Sequence, residues 1–155
     1  MTAIRFRVDG LPPKKDGANS MWGKPLEAER LVSLRKAALK AMNGRSPMKN
    51  NIGLSISVCV GSKNDRSVGD LDTFITGICD GLMKAAPRCK LCTEIWDRAE
   101  NSIRPNKVIA IDDDSQVVSI QAVKVKDATG MQFYDVALEA ELEGGIIGQP
   151  GSRKD

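Results

Sequence analysis

Five aspartates occur in two short motifs of this chain, and their spacing suggests chemistry. Asp70 and Asp72 flank one leucine at the start of a helical pattern, and Asp112, Asp113 and Asp114 follow a short apolar segment. Clustered carboxylates repel each other and raise each other's pKa unless a cation lies between them. Mg²⁺ and Mn²⁺ prefer such oxygen ligands. The motifs therefore predict a metal-dependent enzyme that acts on phosphates.

Each acidic motif also has a structural explanation. Aspartate is favoured at a helix N-cap and in the first helical turn, which would account for Asp70 or Asp72 alone better than for both. The triplet could be a solvated turn before Ser115, although it follows a buried segment. Asp80 lies on the polar ridge of the same helix, where we expect an ion pair with Lys84 four residues later.

The chain contains no histidine, which excludes Ser-His-Asp and Cys-His sites and a histidine general base. Carboxylates, lysine or a metal-bound water must carry any chemistry. Cys59 and Cys79 lie within apolar runs and are expected to be buried in a reducing compartment. Cys89 and Cys92 form a Cys-x-x-Cys pair with three open interpretations: structural cysteines, zinc shared between two subunits, or a redox pair.

The charge distribution favours a polyanionic partner. Residues 1–66 hold 13 Lys and Arg against 5 Asp and Glu, whereas residues 67–155 hold 10 against 15. This arrangement suits a polyanion that the basic half holds and the acidic half cuts, although a solvated basic surface explains it equally well. The chain has neither an apolar run long enough to span a membrane nor a signal peptide, so we expect a cytoplasmic protein without membrane contact.

Periodicity predicts the elements that position these residues. Alternating apolar residues predict strands at about 3–9 and 52–60. Apolar residues without a clean alternation suggest a third strand at 117–125, and after a turn at 127–130 we expect a final strand at 133–142, paired back on the third. Helical spacing predicts helices at 25–42 and 70–86. Residues 87–107 are a polar insertion with a short helix at about 92–101. We expect one compact α/β (α+β) domain over residues 1–143, with a mixed β-sheet, the order β-α-β-α-β-β and a disordered tail at 144–155.

Both acidic motifs resemble those of RusA-type Holliday-junction resolvases. Residues 70–82 are similar to the family's central helix, which reads Asp-Leu-Asp-Asn-x-x-Lys-x-x-x-Asp-x-Leu. Residues 113–118 are similar to its Asp-Asp-x-Gln-Val followed by a strand, and Pro12-Pro13 resembles the proline step after its first strand. The resemblance covers most of residues 1–142. It departs from the family at Thr76, where the family has lysine, at Thr73, where it has asparagine, and in the insertion 87–107.

The resemblance implies a homodimeric, Mg²⁺-dependent endodeoxyribonuclease that resolves four-way DNA junctions in recombination and repair. It assigns metal ligation to Asp70, Asp72 and Asp114, with Asp113 as a supporting catalytic carboxylate. Mn²⁺ could replace Mg²⁺. Because Thr76 carries no charge, Lys63, Arg66 or Lys107 would have to reach the site.

Basic residues of the first half are the expected DNA contacts, through phosphates rather than bases. These are Lys14, Lys15, Lys24, Arg30, Arg35, Lys36, Lys40, Lys63 and Arg66. Two other functions remain open. One is a junction-binding module without cleavage. The other is an interaction protein with zinc at Cys89 and Cys92 between subunits and aspartates that only cap helices.

Overall fold

The protein forms one mixed sheet with helices against it. The computed structural model describes residues 3–15, 20–61, 70–127 and 129–141. Its strands are β1 (Ala3–Asp9), β2 (Ile52–Gly61), β3 (Val117–Asp127) and β4 (Phe133–Ala140). They lie in the order β1-β4-β2-β3, with β4 antiparallel to both neighbours and β3 parallel to β2. The predicted α/β (α+β) class, mixed sheet and element order are confirmed, whereas the predicted tail at 144–155 lies outside the described residues.

β4 is a central strand, so the predicted pairing of β4 with β3 is wrong. The turn between them does form, because the amide of Gly130 donates to the carbonyl of Asp127 at 3.0 Å. After the turn the chain crosses to the far side of β2. β4 buries Tyr134, Val136 and Leu138, whereas β3 is exposed along most of its length. The central position buries the more regularly apolar strand and leaves β3 at the edge.

Two helices, α1 (Pro25–Met42) and α2 (Leu71–Gly81), pack their apolar side chains against one face of the sheet. The bounds of α1 agree with the prediction, but α2 ends five residues early. The carbonyl of Leu82 accepts hydrogen bonds from the amides of Ile109 and Ala110, which turns the chain away from the helix axis. Gly77 brings α2 against the loop before α1, where a Cβ would collide with the carbonyl oxygen of Pro13.

Arg35 on α1 anchors the segment that follows α2. It has no exposed surface. Its five N–H groups donate, at 2.6–2.8 Å, to the carbonyls of Gly81, Met83, Ile103, Arg104 and Lys107. Burial lowers the pKa of the Arg35 guanidinium to about 10, so it remains charged at neutral pH. The prediction that Arg35 contacts DNA from the surface is therefore wrong, since five long-range carbonyls hold it inside.

The insertion 87–107 packs against the rest of the domain through a second apolar cluster. It contains a short helix, α3 (Thr93–Trp96), rather than the predicted helix of ten residues. The indole N–H of Trp96 donates to the carbonyl of Trp22 at 3.0 Å, and the two rings lie 5.5 Å apart. Among the described residues, no helix is both long and apolar enough to cross a membrane.

Candidate metal and nucleic-acid site

Helix capping does not account for the first acidic motif. Asp70 is the N-cap residue of α2, but its side chain makes no capping hydrogen bond. The hydroxyls of Thr73 and Thr76 instead donate to the backbone carbonyls of Asp70 and Asp72, at 2.7 and 3.0 Å. Asp70 and Asp72 are both exposed, and within the described residues neither carboxylate has a hydrogen-bond or ion-pair partner. As far as the described residues go, the oxygens of both carboxylates are therefore unpaired.

The three aspartates of the second motif have different environments. Asp113 caps the short turn Asp114–Gln116 in a reciprocal capping box, and the hydroxyl of Ser115 donates to its carboxylate. Asp112 forms an ion pair with Lys49 at 2.5 Å. Asp114 is exposed, and its carboxylate has no hydrogen-bond or ion-pair partner in the described part of the chain. Within the described part of the chain, Asp114 is thus the member of the triplet whose carboxylate is unpaired.

Gln116 positions the triplet, a role that the sequence reasoning missed. Its amide oxygen accepts from the backbone amides of Asp112 and Asp113 at 2.8 and 3.0 Å. Its amide nitrogen donates to the carbonyls of Met48 and Asn50 at 2.7 and 3.0 Å. The side chain is buried and uses its donor and acceptor groups fully. The Asp-x-x-Gln spacing is the sequence signal for this arrangement, since it matches a capping box.

The triplet lies beside α2, on the side of Cys79 and Asp80. Burial, and then the negative charges of Asp80 and Asp114, raise the pKa of the Cys79 thiol to about 11. Because Coulomb interactions weaken with distance, this effect indicates that Asp114 lies near Cys79. Asp80, Asp112 and Asp113 also line one cleft. The fold therefore places the second acidic motif beside the second half of α2, whereas the first motif lies at the start of that helix.

Asp80 forms an ion pair, but its partner differs from the predicted one. Its carboxylate lies 2.6 Å from the ammonium of Lys15. Lys84 follows the end of α2, so the helical spacing that would bring it to Asp80 is lost. The backbone amide of Lys15 also donates to the carbonyl of Thr73 at 3.4 Å. Lys15 therefore contacts α2 through its backbone at Thr73 and through its ammonium at Asp80.

The predicted ligands have the oxygen atoms that Mg²⁺ prefers, but the described residues do not arrange them around one point. Asp70, Asp72 and Asp114 offer only carboxylate oxygens, the ligand type that Mg²⁺ and Mn²⁺ prefer. Across residues 3–15, 20–61, 70–127 and 129–141, no group of three or more Asp, Glu, Cys or His side chains is arranged to hold a metal ion. The donor set therefore fits a hard divalent cation, and no coordination geometry follows from it.

The basic residues predicted to bind DNA are distributed over several surfaces. Lys36 and Lys40 are exposed on α1. Arg30 is partly buried and pairs with Glu27 at 3.3 Å, and the amide of the half-buried Lys14 also donates to Glu27, at 2.8 Å. Lys15 pairs with Asp80, and Lys24 is half-buried. Arg35 is interior, while Lys63 and Arg66 lie outside the described residues.

Cys89 and Cys92 are free thiols that pack against the second apolar cluster with Trp22 and Trp96. The amide of Cys92 donates to the carbonyl of Trp22 at 2.9 Å. These contacts are those of structural cysteines. A zinc ion at this pair would need further ligands from a partner subunit, and it stays a prediction.

No known family model matches this chain, and no curated protein matches its sequence. The likeness to RusA-type resolvases therefore rests on the two acidic motifs and the proline step alone.

Proposed function

We propose that this protein is a Mg²⁺-dependent endodeoxyribonuclease that resolves four-way DNA junctions. One observation carries the proposal. The carboxylates of Asp70, Asp72 and Asp114 are exposed, and none has a hydrogen-bond or ion-pair partner among the described residues. Three exposed carboxylates that are unpaired among the described residues, contributed by two motifs beside one helix, offer the oxygen ligands that a divalent cation prefers.

The proposed roles follow from the surroundings of each side chain. Asp70, Asp72 and Asp114 would hold Mg²⁺, which when bound supplies an activated water and neutralises charge on the phosphate. Asp113 supports the loop through its capping box, and Gln116 holds the backbone of that loop.

The ammonium of Lys15 pairs with Asp80, one helical turn beyond Thr76, where the resembling family has lysine, so this cation is already neutralised by a carboxylate. A homodimer would match the near two-fold symmetry of a junction, with one site for each opposed strand.

A second candidate is a junction-binding protein that does not cut. Two observations favour it. Thr76 carries no charge, and the described residues contain no ready group of three metal-holding side chains. Such a protein would bind junctions equally well in Mg²⁺ and in EDTA.

The deciding experiment incubates the purified protein with a labelled four-way junction and a linear duplex, in Mg²⁺ and in EDTA. We expect paired nicks in the junction that require Mg²⁺. Asp72→Asn should lose about 100-fold or more of the cleavage rate, since metal-assisted charge stabilisation contributes several kcal/mol.

Asp97→Asn is the matched control, because it removes an exposed carboxylate at the end of α3. It should cut like the wild-type protein. Tight binding without nicks in Mg²⁺ or Mn²⁺ would reject the nuclease and support the binding module. Equal losses in both variants would reject the assignment of Asp72 to the site.

A further inference from the structure

A cleft of about 770 Å³ lies between the turn Met21–Gly23 and the segment 83–90 that follows α2. It is the cleft that Asp80, Asp112 and Asp113 line. Five basic residues also line it: Lys15, Lys24, Lys84, Arg88 and Lys90. Lys15 and Lys24 are among the DNA contacts predicted from the sequence, whereas the other three are not.

The other three cations have no ion-pair partner among the described residues. Lys15 is neutralised by Asp80, and Asp112 by Lys49. Lys84, Arg88 and Lys90 are exposed and form no ion pair with any described residue. Five cations and three carboxylates line the cleft, so the charge of its described lining is positive, and this favours an anionic ligand.

The chain that carries these cations is held in place. The guanidinium of Arg35 donates to the carbonyl of Met83 at 2.7 Å, and the amide of Ala85 donates to the carbonyl of Pro105 at 2.8 Å. At the other end of the segment the backbone of Lys90 approaches Gly23, where a Cβ would lie only 2.9 Å from the Lys90 carbonyl oxygen. Because its backbone is already fixed, this segment loses little conformational entropy when a polyanion binds.

We propose that this cleft binds the sugar-phosphate backbone of a DNA arm, with Lys84, Arg88 and Lys90 in contact with its phosphates. The cleft would lead the strand to the acidic triplet, since Asp112 and Asp113 line the same cleft. The choice of DNA as the polyanion rests on the proposed function. The proposal moves the binding surface away from the exposed face of α1, because Lys36 lines a separate depression that it shares with Glu29 and Glu100.

The test compares two double variants that remove the same charge. Lys84→Gln with Arg88→Gln alters the cleft, and Lys36→Gln with Lys40→Gln alters α1. The affinity of each protein for a fluorescein-labelled junction is measured by anisotropy in EDTA over a range of salt concentrations. Two lost phosphate contacts should weaken binding by about 60-fold at 0.1 M salt and reduce the salt slope by about 1.8. The α1 variant should bind almost as the wild type does.

Several results would overturn the proposal. Equal losses of junction affinity in the two variants would mean that DNA responds to the overall positive charge rather than to this cleft. A loss of affinity confined to the α1 variant would place the DNA on that helix. Poly-glutamate that competes as well as a linear duplex would mark a site for acidic protein chains. If the wild-type protein binds DNA through the cleft but never cuts it, the proposed nuclease activity is wrong and the proposed binding cleft is supported. If the wild type does not bind DNA, both proposals fail.

Discussion

Replacing Arg35 by methionine tests whether this residue is an interior anchor or a surface DNA contact. Methionine keeps most of the length and volume of the side chain but cannot donate to the carbonyls of the segment after α2. In the wild-type protein five such hydrogen bonds converge on the buried guanidinium. The variant therefore leaves several buried carbonyls without this donor.

The expected cost follows from these contacts. A hydrogen bond to a charged group contributes about 1.5–3 kcal/mol, and the cost of desolvating the guanidinium offsets part of the sum. The carbonyl of Arg104 also keeps a second donor, the amide of Lys107 at 2.9 Å. We expect a net loss of about 4 kcal/mol in the free energy of unfolding, a large share of the 5–15 kcal/mol typical of such domains. The melting temperature should fall by roughly 8–16 °C.

Tryptophan fluorescence is the natural assay, because both tryptophans of the chain lie near this residue. The Arg35 guanidinium carbon is 5.1 Å from the Trp22 ring, and Trp96 packs on Trp22. The urea midpoints of unfolding measured by fluorescence and by far-ultraviolet circular dichroism should both shift to lower urea concentrations. Lys36→Met on the neighbouring exposed position is the control and should change stability by less than about 0.5 kcal/mol.

The reasoning would be refuted if Arg35→Met unfolded within about 1 kcal/mol of the wild type. It would also be refuted if the variant kept its stability and lost junction affinity with a reduced salt slope, since that is the behaviour of a surface phosphate contact.

Two further predictions concern buried polar side chains. Tyr134 is the single tyrosine, and burial raises its pKa well above the usual 10. Its absorbance at 295 nm should therefore show no phenolate in the folded protein at pH 11 but normal titration in urea. Because Tyr134 ionises above about pH 10 only in the unfolded chain, its own contribution favours unfolding there, and a normal titration of Tyr134 in the folded protein would contradict this. Gln116→Ala removes four hydrogen bonds, so it should lower the free energy of unfolding by about 2 kcal/mol and slow any cleavage. The control Gln121→Ala, on the exposed strand β3, should change neither the stability nor the cleavage rate. Equal urea midpoints for the two glutamine variants would contradict the role of Gln116.

Local patterns predicted the elements well. The alternation of Ile4, Phe6 and Val8 with arginines predicted β1 with its observed bounds, and the apolar stripe of α1 predicted that helix from Pro25 to Met42. The periodicity of apolar residues indicates which face of an element is buried, and this periodicity depends only on residues close together in the chain. The acidic motifs were visible for the same reason, since each is contiguous in the chain.

The sequence by itself determined the class of domain, the order of its elements and the positions of the two acidic motifs along the chain. Only the tertiary structure decided which strands pair, where α2 ends and which cations face the acidic motifs. Arg35 shows the physical reason. Its helical position resembles that of its exposed neighbour Lys36, and its burial depends on carbonyls 46 to 72 residues away in the chain. Contacts of that separation leave no local pattern, so folding alone removes Arg35 from the surface and leaves Lys84 and Arg88 to line the cleft.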